Sequence, residues 1–542
     1  MKQRSFLSVL IVSIVVLLLV GITACNKSQL GVLSSVATTG KPSTAMFVLK
    51  QSPAMVSMLV NPDRLVEQEG NGYLSKIKTG LLADTGIDYQ KDIQPWLGNE
   101  ITLAVTSLDI DHQPENGKQP GYLMVVTTNQ SKKSREFVDS FFSKRELAGA
   151  KLSVENYKGV KLIDDNNHLV GTAVDDRFVL FANNLKVLRE AINNVQATDL
   201  NLASSSQYQQ AIKELPKSPV AIAFLNLPRV AEWQGLQLKD KTYDSQILSV
   251  VLNPKGLLTE TTFIAKDETL PPAKQLSKPV GALQYIPASA GLAISGSDLS
   301  TLGQDNLSQL WKQANAVISG SQEDTKLPKP LADIQEHLGI DWKEDVLNWV
   351  TGEYAIGLLP HQEQKTPDWV FVVEKSEATS PGIARWDKIA SSHGLLLNSF
   401  TLGEQQIAGW TKLTTKPAST KDQQAFTIQA KVYGTHTSQG NYEIITNSIE
   451  AMNQVLNLKG DSLIDNPNFQ ASTAAMPQPN QGYIYLDWRK IQRTVESQIP
   501  VLKLAKIVAK PFFENLRSLT ISSYGNDTQL LKGGVFFQLS DP

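Results

Sequence analysis

Short runs in which hydrophobic and polar residues alternate fill most of the chain, a pattern typical of strands that bury one face. These runs predict strands at 45–49, 54–60, 101–108, 121–127, 246–265, 283–286, 290–296, 353–359, 369–374 and 517–538. Apolar residues at helical spacing predict helices at 131–147 and 381–394. Turn residues separate further runs, with Asp175-Asp176 and Gln439-Gly440-Asn441 at two expected hairpins. Strand runs mixed with helices favour an α+β fold with mostly antiparallel sheets and packed helices.

The order of these elements occurs twice along the chain. Three pairs of segments match in the same order, namely 85–105 with 338–358, 181–194 with 445–457, and 204–227 with 465–488. The first match is ungapped at a spacing of 253 residues and aligns Trp96 with Trp349. We therefore predict a tandem duplication of one α+β unit. Insertions that break this spacing, such as 411–425, are expected on loops.

The N-terminus has the pattern of an export signal. Lys2 and Arg4 precede a run at 6–20 that is apolar apart from two serines. The sequence that follows, Ile22-Thr23-Ala24-Cys25, resembles the lipobox of bacterial lipoprotein precursors. That resemblance implies cleavage before Cys25 and lipidation of its thiol. The alternative is an uncleaved transmembrane helix, because the apolar stretch is just long enough to span a bilayer.

These boundaries divide the chain into five parts. We assign residues 1–24 to a lipoprotein signal peptide, 25–44 to a flexible tether, 45–265 to the first α+β repeat, 266–281 to a linker, and 282–540 to the second repeat. The linker is assigned on its polar, proline-rich composition, and the tether on its serine, threonine and glycine content.

Composition narrows the possible functions. Hydrophobic residues make up 41% of the chain and charged residues 19%, which argues against wholesale disorder. The formal charge of −2 becomes about −4 once Lys2 and Arg4 are removed, so the chain lacks the basic field that attracts nucleic acid. Cys25 is the only cysteine, which leaves no thiol for an intramolecular disulfide or a CxxC redox pair.

The chain contains the short sequence of a serine-esterase motif but not the histidine that the motif requires. The GDSL sequence at 460–463 matches the nucleophile block of one esterase family, in which Ser462 would attack. That family supplies its base from a histidine after the serine, whereas the last histidine here, His436, precedes it. The duplication aligns Ser462 with Asn201, and both residue types cap helices or close turns. We interpret Ser462 as such a residue.

The sequence offers weak candidates for a metal site and none for a cofactor. The six histidines are His112, His168, His337, His361, His393 and His436. No two of them have helical metal-binding spacing, and most fall in expected loops. Asp109, Asp111 and Glu115 bring acidic oxygens into one loop, but the loop lacks the glycine and bidentate glutamate of an EF-hand. A solvated hairpin loop is favoured there over a calcium site.

Four segments carry a resemblance to a known family. They are SPAMVSMLVNPDRL at 52–65, DIQPWLGNEITLAVTSLDID at 92–111, PENGKQPGYL at 114–123 and YKGVKLID at 157–164. They resemble an uncharacterised family of cyanobacterial envelope proteins of the DUF3352 (domain of unknown function) type, over essentially all of 45–540. The resemblance implies a location in the envelope. It implies no catalytic or binding residue.

These features favour a membrane-tethered envelope lipoprotein on the periplasmic side or in the thylakoid lumen. Its partners would be the membrane, through the lipid anchor, and an unknown protein or ligand. Non-catalytic binding or a scaffold role is favoured. An enzyme, such as a hydrolase without a recognisable motif, and a carrier of lipids or other hydrophobic ligands are the alternatives. An enzyme should show a polar cluster in a pocket, a carrier a deep apolar cavity, and a scaffold an exposed apolar patch.

Overall fold

The computed structural model describes residues 40–61, 88–111, 113, 117–234, 242–265, 267, 274–299, 341, 345–360, 367–417, 426–492, 510–525 and 527–539. The predicted lipidation site, Cys25, lies outside these residues. So do Glu115 and three of the six histidines, His112, His337 and His361.

The described residues form twenty strands and eight α-helices. The strands are β1 (Ala54–Met58), β2 (Leu97–Ser107), β3 (Gly121–Thr128), β4 (Ser153–Tyr157), β5 (Val160–Asp164), β6 (Val170–Val174), β7 (Phe178–Ala182), β8 (Ala221–Asn226), β9 (Tyr243–Asn253), β10 (Gly256–Ala265), β11 (Leu292–Gly296), β12 (Tyr354–Leu359), β13 (Asp368–Glu374), β14 (Leu396–Leu402), β15 (Gln405–Pro417), β16 (Phe426–Gln439), β17 (Tyr442–Thr446), β18 (Gly482–Asp487), β19 (Ser518–Tyr524) and β20 (Leu530–Gln538). The helices are α1 (Ser131–Leu147), α2 (Leu185–Gln196), α3 (Ser206–Lys213), α4 (Leu227–Gln234), α5 (Thr379–Ser392), α6 (Ile449–Leu456), α7 (Pro467–Ala474) and α8 (Lys510–Asn515).

All twenty strands pair antiparallel in a single open sheet, which confirms the predicted α+β class. Their spatial order is β4-β5-β6-β7-β3-β2-β1-β8-β9-β10-β20-β19-β18-β11-β12-β13-β17-β16-β15-β14. We call β1–β10 with their helices the first half and β11–β20 with theirs the second half.

The two halves pair their strands in the same order. In the first half β1 lies between β2 and β8, and in the second β11 lies between β12 and β18. Ala54 pairs with Val105 on β2, and Leu292 pairs with Leu358 on β12. Val105 and Leu358 are 253 residues apart, the spacing seen in the sequence. Side-chain bonds correspond too. The indole nitrogens of Trp96 and Trp349 each donate, over 2.6 Å, to the carbonyl oxygen four residues earlier.

The halves join through β10 and β20, which occupy equivalent positions. These strands pair antiparallel from Gly256 opposite Gln538 to Ile264 opposite Leu530, with Glu260 opposite Gly534 at the centre. Equivalent strands that pair antiparallel around a central point are related by a local pseudo-two-fold axis. The seam thus makes one sheet of two halves and places Glu260 beside that axis.

Apolar residues on both faces of the sheet are covered. On β3, Leu123 and Val125 belong to a core with α2 and α3, whereas Val126 belongs to a core with Trp96 and α1. This alternation follows from the two-residue period of a strand. In the second half, Val370 and Val372 of β13 face α6, and Phe371 and Val373 face α5, among similar cores. Each half therefore has a sheet between two helical layers.

Two predicted strands are wrong. The segments expected as strands at 45–49 and 283–286 are 3-10 helices over Ser43–Phe47 and Gly281–Tyr285. Short apolar runs do not distinguish strand from buried helix by period alone. The first N–H groups of each turn also have a carboxylate acceptor, since Glu100 binds those of Ser43 and Thr44 and Glu353 binds that of Gly281. A helical turn is the conformation that frees these donors for one carboxylate.

The other expected elements fall largely as predicted. Helix 131–147 is α1, helix 381–394 is α5 at Thr379–Ser392, and the Asp175-Asp176 turn has both residues at positive φ, 58° and 55°. The insertion at 411–425 was expected on a loop, and this is wrong for 411–417, which extends β15. Its β-branched residues, Thr411, Thr414 and Thr415, suit a strand. No helix among the described residues is long and apolar enough to cross a membrane.

We expect Glu100 to hold the first 3-10 helix onto β2. Its side chain is buried and accepts from Ser43 N at 3.0 Å, Ser43 Oγ at 2.7 Å and Thr44 N at 3.0 Å. Glu100→Ala should lower the free energy of unfolding by about 3–5 kcal/mol, because the buried N–H and hydroxyl groups of Thr44 lose their acceptor at about 1–3 kcal/mol each, and Ser43 loses two part-buried bonds. Chemical denaturation measures this loss.

Glu353→Ala is the matched control for this prediction. Glu353 corresponds to Glu100 in the second half and accepts from Gly281 N at 2.7 Å and Tyr442 Oη at 3.1 Å, in a less buried setting. We expect a smaller loss than for Glu100→Ala. An equal or larger loss in the control would contradict the proposed role of Glu100.

Candidate functional site

A small cavity opens beside the seam, on the face of the sheet covered by α3. Its volume is about 120 Å³. It is lined by the end of α3 and the loop after it, by β9 and β10, and by β19 and β20, namely by Glu214, Leu215, Pro216, Ile247, Ser249, Glu260, Thr262, Tyr524, Gly525 and Lys532. We call it the junction cavity because both halves contribute to its wall.

Four polar side chains meet in the junction cavity. Tyr524 Oη lies 2.5 Å from Glu260 Oε1 and 3.2 Å from the carbonyl oxygen of Gly533, and can donate to either. Lys532 Nζ forms an ion pair with Glu214 Oε2. Glu260 Oε2 is buried and has no hydrogen-bond partner within the part of the chain that the structure describes. One carboxylate oxygen in the cavity therefore keeps its full capacity to accept.

Burial controls the protonation of this cluster. Desolvation raises the pKa of Glu260 above its ordinary value, and the Tyr524 hydrogen bond and the charge of Lys532 oppose part of that rise. The pKa of Tyr524 is also raised, first by burial and then by the charge of Glu260. Tyr524 is therefore a hydroxyl donor at any physiological pH.

Among the described residues, the cavity lies on one side of the pseudo-two-fold axis, beside α3, and has no counterpart beside α7. The strand registers make Ser249 equivalent to Ser522, and therefore Glu260 to Gly534 and Thr262 to Phe536. In the second half the corresponding space is filled, because Met476 packs with Phe536 and Tyr483. The methyl of Met476 would lie only 3.3 Å from a Cβ at Gly534. Two polar residues in place of glycine and phenylalanine thus distinguish the first half.

The acidic loop proposed as a weak metal candidate uses its oxygens within the loop. Asp109 Oδ1 accepts from Gln119 N at 3.2 Å, and Asp111 Oδ1 accepts from Gln113 N at 3.1 Å. Such bonds close turns. Glu115 lies outside the described residues. Within the described ranges, no three histidine, cysteine or acidic side chains are placed to hold a metal ion.

Ser462 is placed as a structural residue. Its side chain is buried, and Oγ donates to Asp465 Oδ2 over 2.5 Å. Asn201, its equivalent, accepts from Ser204 N at 3.0 Å and caps a 3-10 helix at Leu202–Ser204. Both residues precede the same short helix, although Ser462 bonds to a side chain rather than capping the backbone.

His436 departs from the expectation that most histidines lie in loops, because it is buried in β16. Its Nδ1 lies 3.2 Å from Glu443 Oε1 and its Nε2 3.5 Å from Asp387 Oδ1. Its ring stacks on Trp410, whose indole nitrogen donates to Asp387 Oδ1 at 2.8 Å. These contacts tie α5 to the sheet. His168 and His393 lie in a turn and at the end of α5, as expected of loop residues.

Sequence reasoning missed the junction cavity. Its residues, Glu214, Glu260, Tyr524 and Lys532, are far apart in the chain and form no motif. A comparison of the two halves contained a signal for the site. Aligning 256–265 with 530–539 places Glu260 opposite a glycine. A charged residue at a position that is glycine in the other half marks a difference between two otherwise similar strands.

Comparisons with known proteins assign the chain to a family of unknown function. The model of the family described as Protein of unknown function (DUF3352) matches residues 9–539. No curated protein matches the chain. Among solved structures, crystal form I of TP0453 is 7% identical, with a TM-score of 0.26, and covers 42% of this chain and 81% of its own. Crystal form III of TP0453 is 8% identical, with a TM-score of 0.25, over 44% and 82%. TM-scores this low do not support a conclusion about the fold or the function of the chain.

The raised pKa of Glu260 predicts a pH-dependent stability difference. Below its ordinary value of 4.5 the carboxyl is protonated in both states, and its burial contributes no pH dependence. As the pH rises through the raised pKa, the folded state must bury a charge that water solvates in the unfolded state, so stability falls. Glu260→Gln removes this loss. The melting temperature of the variant relative to wild type should therefore increase from pH 4 to pH 8.

The control for this pH series is Glu136→Gln, an exposed glutamate that faces Lys132 at 4.0 Å. Its difference from wild type should stay nearly constant over the same range. A difference for Glu260→Gln that is constant, or that shrinks as the pH rises, would contradict the assignment. A uniform offset at all pH values reflects the amide group and does not bear on it.

Proposed function

This chain belongs to the DUF3352 family, whose description names no activity, and we propose that it is a membrane-tethered envelope protein that binds a small polar ligand without catalysis. The single observation that supports the proposal is the junction cavity, which exists where Glu260 and Thr262 replace the Gly534 and Phe536 of the equivalent strand. A pocket with a few convergent polar groups and a perturbed pKa is the usual form of a binding site.

The energetics of Glu260 favour a ligand role over a structural one. A buried carboxylate oxygen without a partner costs free energy, and replacing its bonds with packed apolar atoms would remove the cost. The second half does this with Met476 and Phe536. The first half keeps the free-energy cost of burying an unpaired oxygen of Glu260, although its fold does not require that residue. A bound group that supplies the missing hydrogen bond would offset this cost.

The tether is the second part of the proposal. Lipid on Cys25 would hold the chain to an envelope membrane. The tether would end before the 3-10 helix at Ser43–Phe47, and residues 26–42, behaving as a flexible coil, would reach roughly 23 Å from the membrane. That distance lets the sheet stand clear of the bilayer surface. The cyanobacterial envelope and the periplasmic or lumenal side are part of the same proposal. We also propose that the two halves arose by duplication, which their matching strand order and register support.

A scaffold that binds another protein is the second candidate, and β14 favours it. This strand ends the sheet and, among the described residues, pairs on one side only, with β15. Residues 395–402 carry no charge, and Leu396, Leu397 and Leu413 are about half exposed. Proteins usually protect such edges with charges or proline. A photo-crosslinker at Leu397 should then capture a partner protein, an outcome that ligand binding alone does not predict.

The tether proposal predicts lipidation at Cys25. Cells that express the full chain and are fed an alkyne fatty acid should label the wild type. Cys25→Ser should lose the label, because no other cysteine can accept the lipid. Equal labelling of Cys25→Ser would contradict the lipoprotein assignment, and retention of the unlabelled variant in membranes would indicate an uncleaved helix.

The ligand proposal predicts that filling the cavity abolishes binding. The double variant Glu260→Gly with Thr262→Phe installs the residues of the second half, which pack there without a cavity. Small polar molecules of positive, negative and zero charge would be screened against the full chain by ligand-observed NMR. At least one should bind the wild type and Glu136→Gln, and it should lose binding to the double variant. Circular dichroism checks that the fold is kept. Binding that is unchanged by the double variant would refute the site.

A further inference from the structure

We propose that the junction cavity binds a small primary amine in its ammonium form. The inference rests on the ligand-binding function proposed above and names the chemical class of the ligand. Three features of the cavity lead to it: the sign of its charge, the excess of hydrogen-bond acceptors over donors, and an apolar wall opposite the polar groups.

The charge of the cavity is negative when its groups are ionised. Glu214 and Glu260 bring two carboxylates, and Lys532 brings one ammonium. The ion pair of Lys532 with Glu214 offsets those two charges. Glu260 is then left without a cation in direct contact, although the charge of Lys532 acts on it from a distance. A monovalent cation is the ligand charge that neutralises the remainder.

The hydrogen-bonding groups of the cavity are mainly acceptors. Glu260 Oε2 has no partner among the described residues, and Tyr524, which can donate to the other carboxylate oxygen, keeps lone pairs that can accept. Ser249 pairs directly with Glu260 across the strands and lines the same cavity, as does Thr262. An ammonium group has three donors and no acceptor, which matches this set. A carboxylate ligand would place a second negative charge against Glu260.

The remaining wall suits a short alkyl chain. Leu215, Pro216 and Ile247 line the cavity together with the polar groups. A bare inorganic cation would leave this wall without contact, whereas the methylenes of an amine would pack on it. The volume of about 120 Å³ limits the ligand to a small molecule. Charge, acceptors and apolar wall together specify an alkylammonium ion.

The test compares three organic probes of similar size and one bare cation against the full-length protein in detergent. These are propylammonium, propionamide, propionate and potassium, titrated by calorimetry at pH 8, where an alkylamine is still protonated. We expect propylammonium to bind at least tenfold more tightly than the other three. Glu260→Gln should weaken it at least tenfold, and Ser249→Ala by about three- to tenfold, the equivalent of one neutral hydrogen bond. Glu136→Gln should bind as the wild type does.

Each other outcome overturns a defined part of the proposal. Propionate or propionamide binding that depends on Glu260, without propylammonium binding, would refute the amine and leave the ligand-binding function standing. Potassium binding as tight as propylammonium would refute the requirement for N–H donors and an alkyl chain. Propylammonium binding unchanged in both Glu260→Gln and Ser249→Ala would place the amine elsewhere. Failure of all four probes, and of the wider screen, would refute the function as well.

Discussion

The antiparallel pairing of β10 with β20 is the interaction on which the rest of the architecture depends. Each strand would otherwise be the exposed edge of its half, with a row of unpaired N–H and C=O groups. Their pairing along Gly256–Ile264 and Leu530–Gln538 satisfies both rows and makes one sheet of twenty strands. Because the strands are equivalent, the seam has a pseudo-two-fold axis at its centre. Any residue near that axis meets the equivalent position of the other half at close range, which a residue elsewhere in the fold does not.

The surface around this axis departs from symmetry in a way that creates the site. On one side Leu258, Phe536 and Met476 pack together, and on the other Glu260, Tyr524 and Lys532 surround the junction cavity. Gly534, which pairs with Glu260, leaves room on the filled side, because a Cβ there would lie 3.3 Å from the methyl of Met476 and 3.4 Å from Leu258. The junction cavity is thus a property of the assembled sheet. Neither half contains it alone, since Glu260 comes from the first and Tyr524 from the second.

Local sequence patterns predicted most secondary-structure elements and the fold class. They failed where long-range contacts determine the local conformation or the strand register. The helix Ser131–Leu147 follows from its own spacing of apolar residues, and the turn at Asp175-Asp176 from residues that tolerate positive φ. The 3-10 helix at Ser43–Phe47 depends instead on Glu100, more than fifty residues later. The seam joins Glu260 to Gly534 across a far longer separation, and no local pattern records that register. The same limit hid the candidate site, whose residues share no motif.

The matching strand order of the two halves changes what a single sequence can reveal about function. In a unit that occurs once, a buried glutamate such as Glu260 could be read as an irregularity of the core. Here the second half shows how the same strands, helix and loop pack when the position carries Gly534 and the neighbouring space holds Met476. Comparing the two halves of one chain distinguishes the residues that the fold requires from the residues that are present in one half only. The fold requires an antiparallel seam and a covered sheet, which both halves provide. Glu260 and Thr262 serve neither need, and this is why the difference between the halves, rather than their likeness, locates the candidate site.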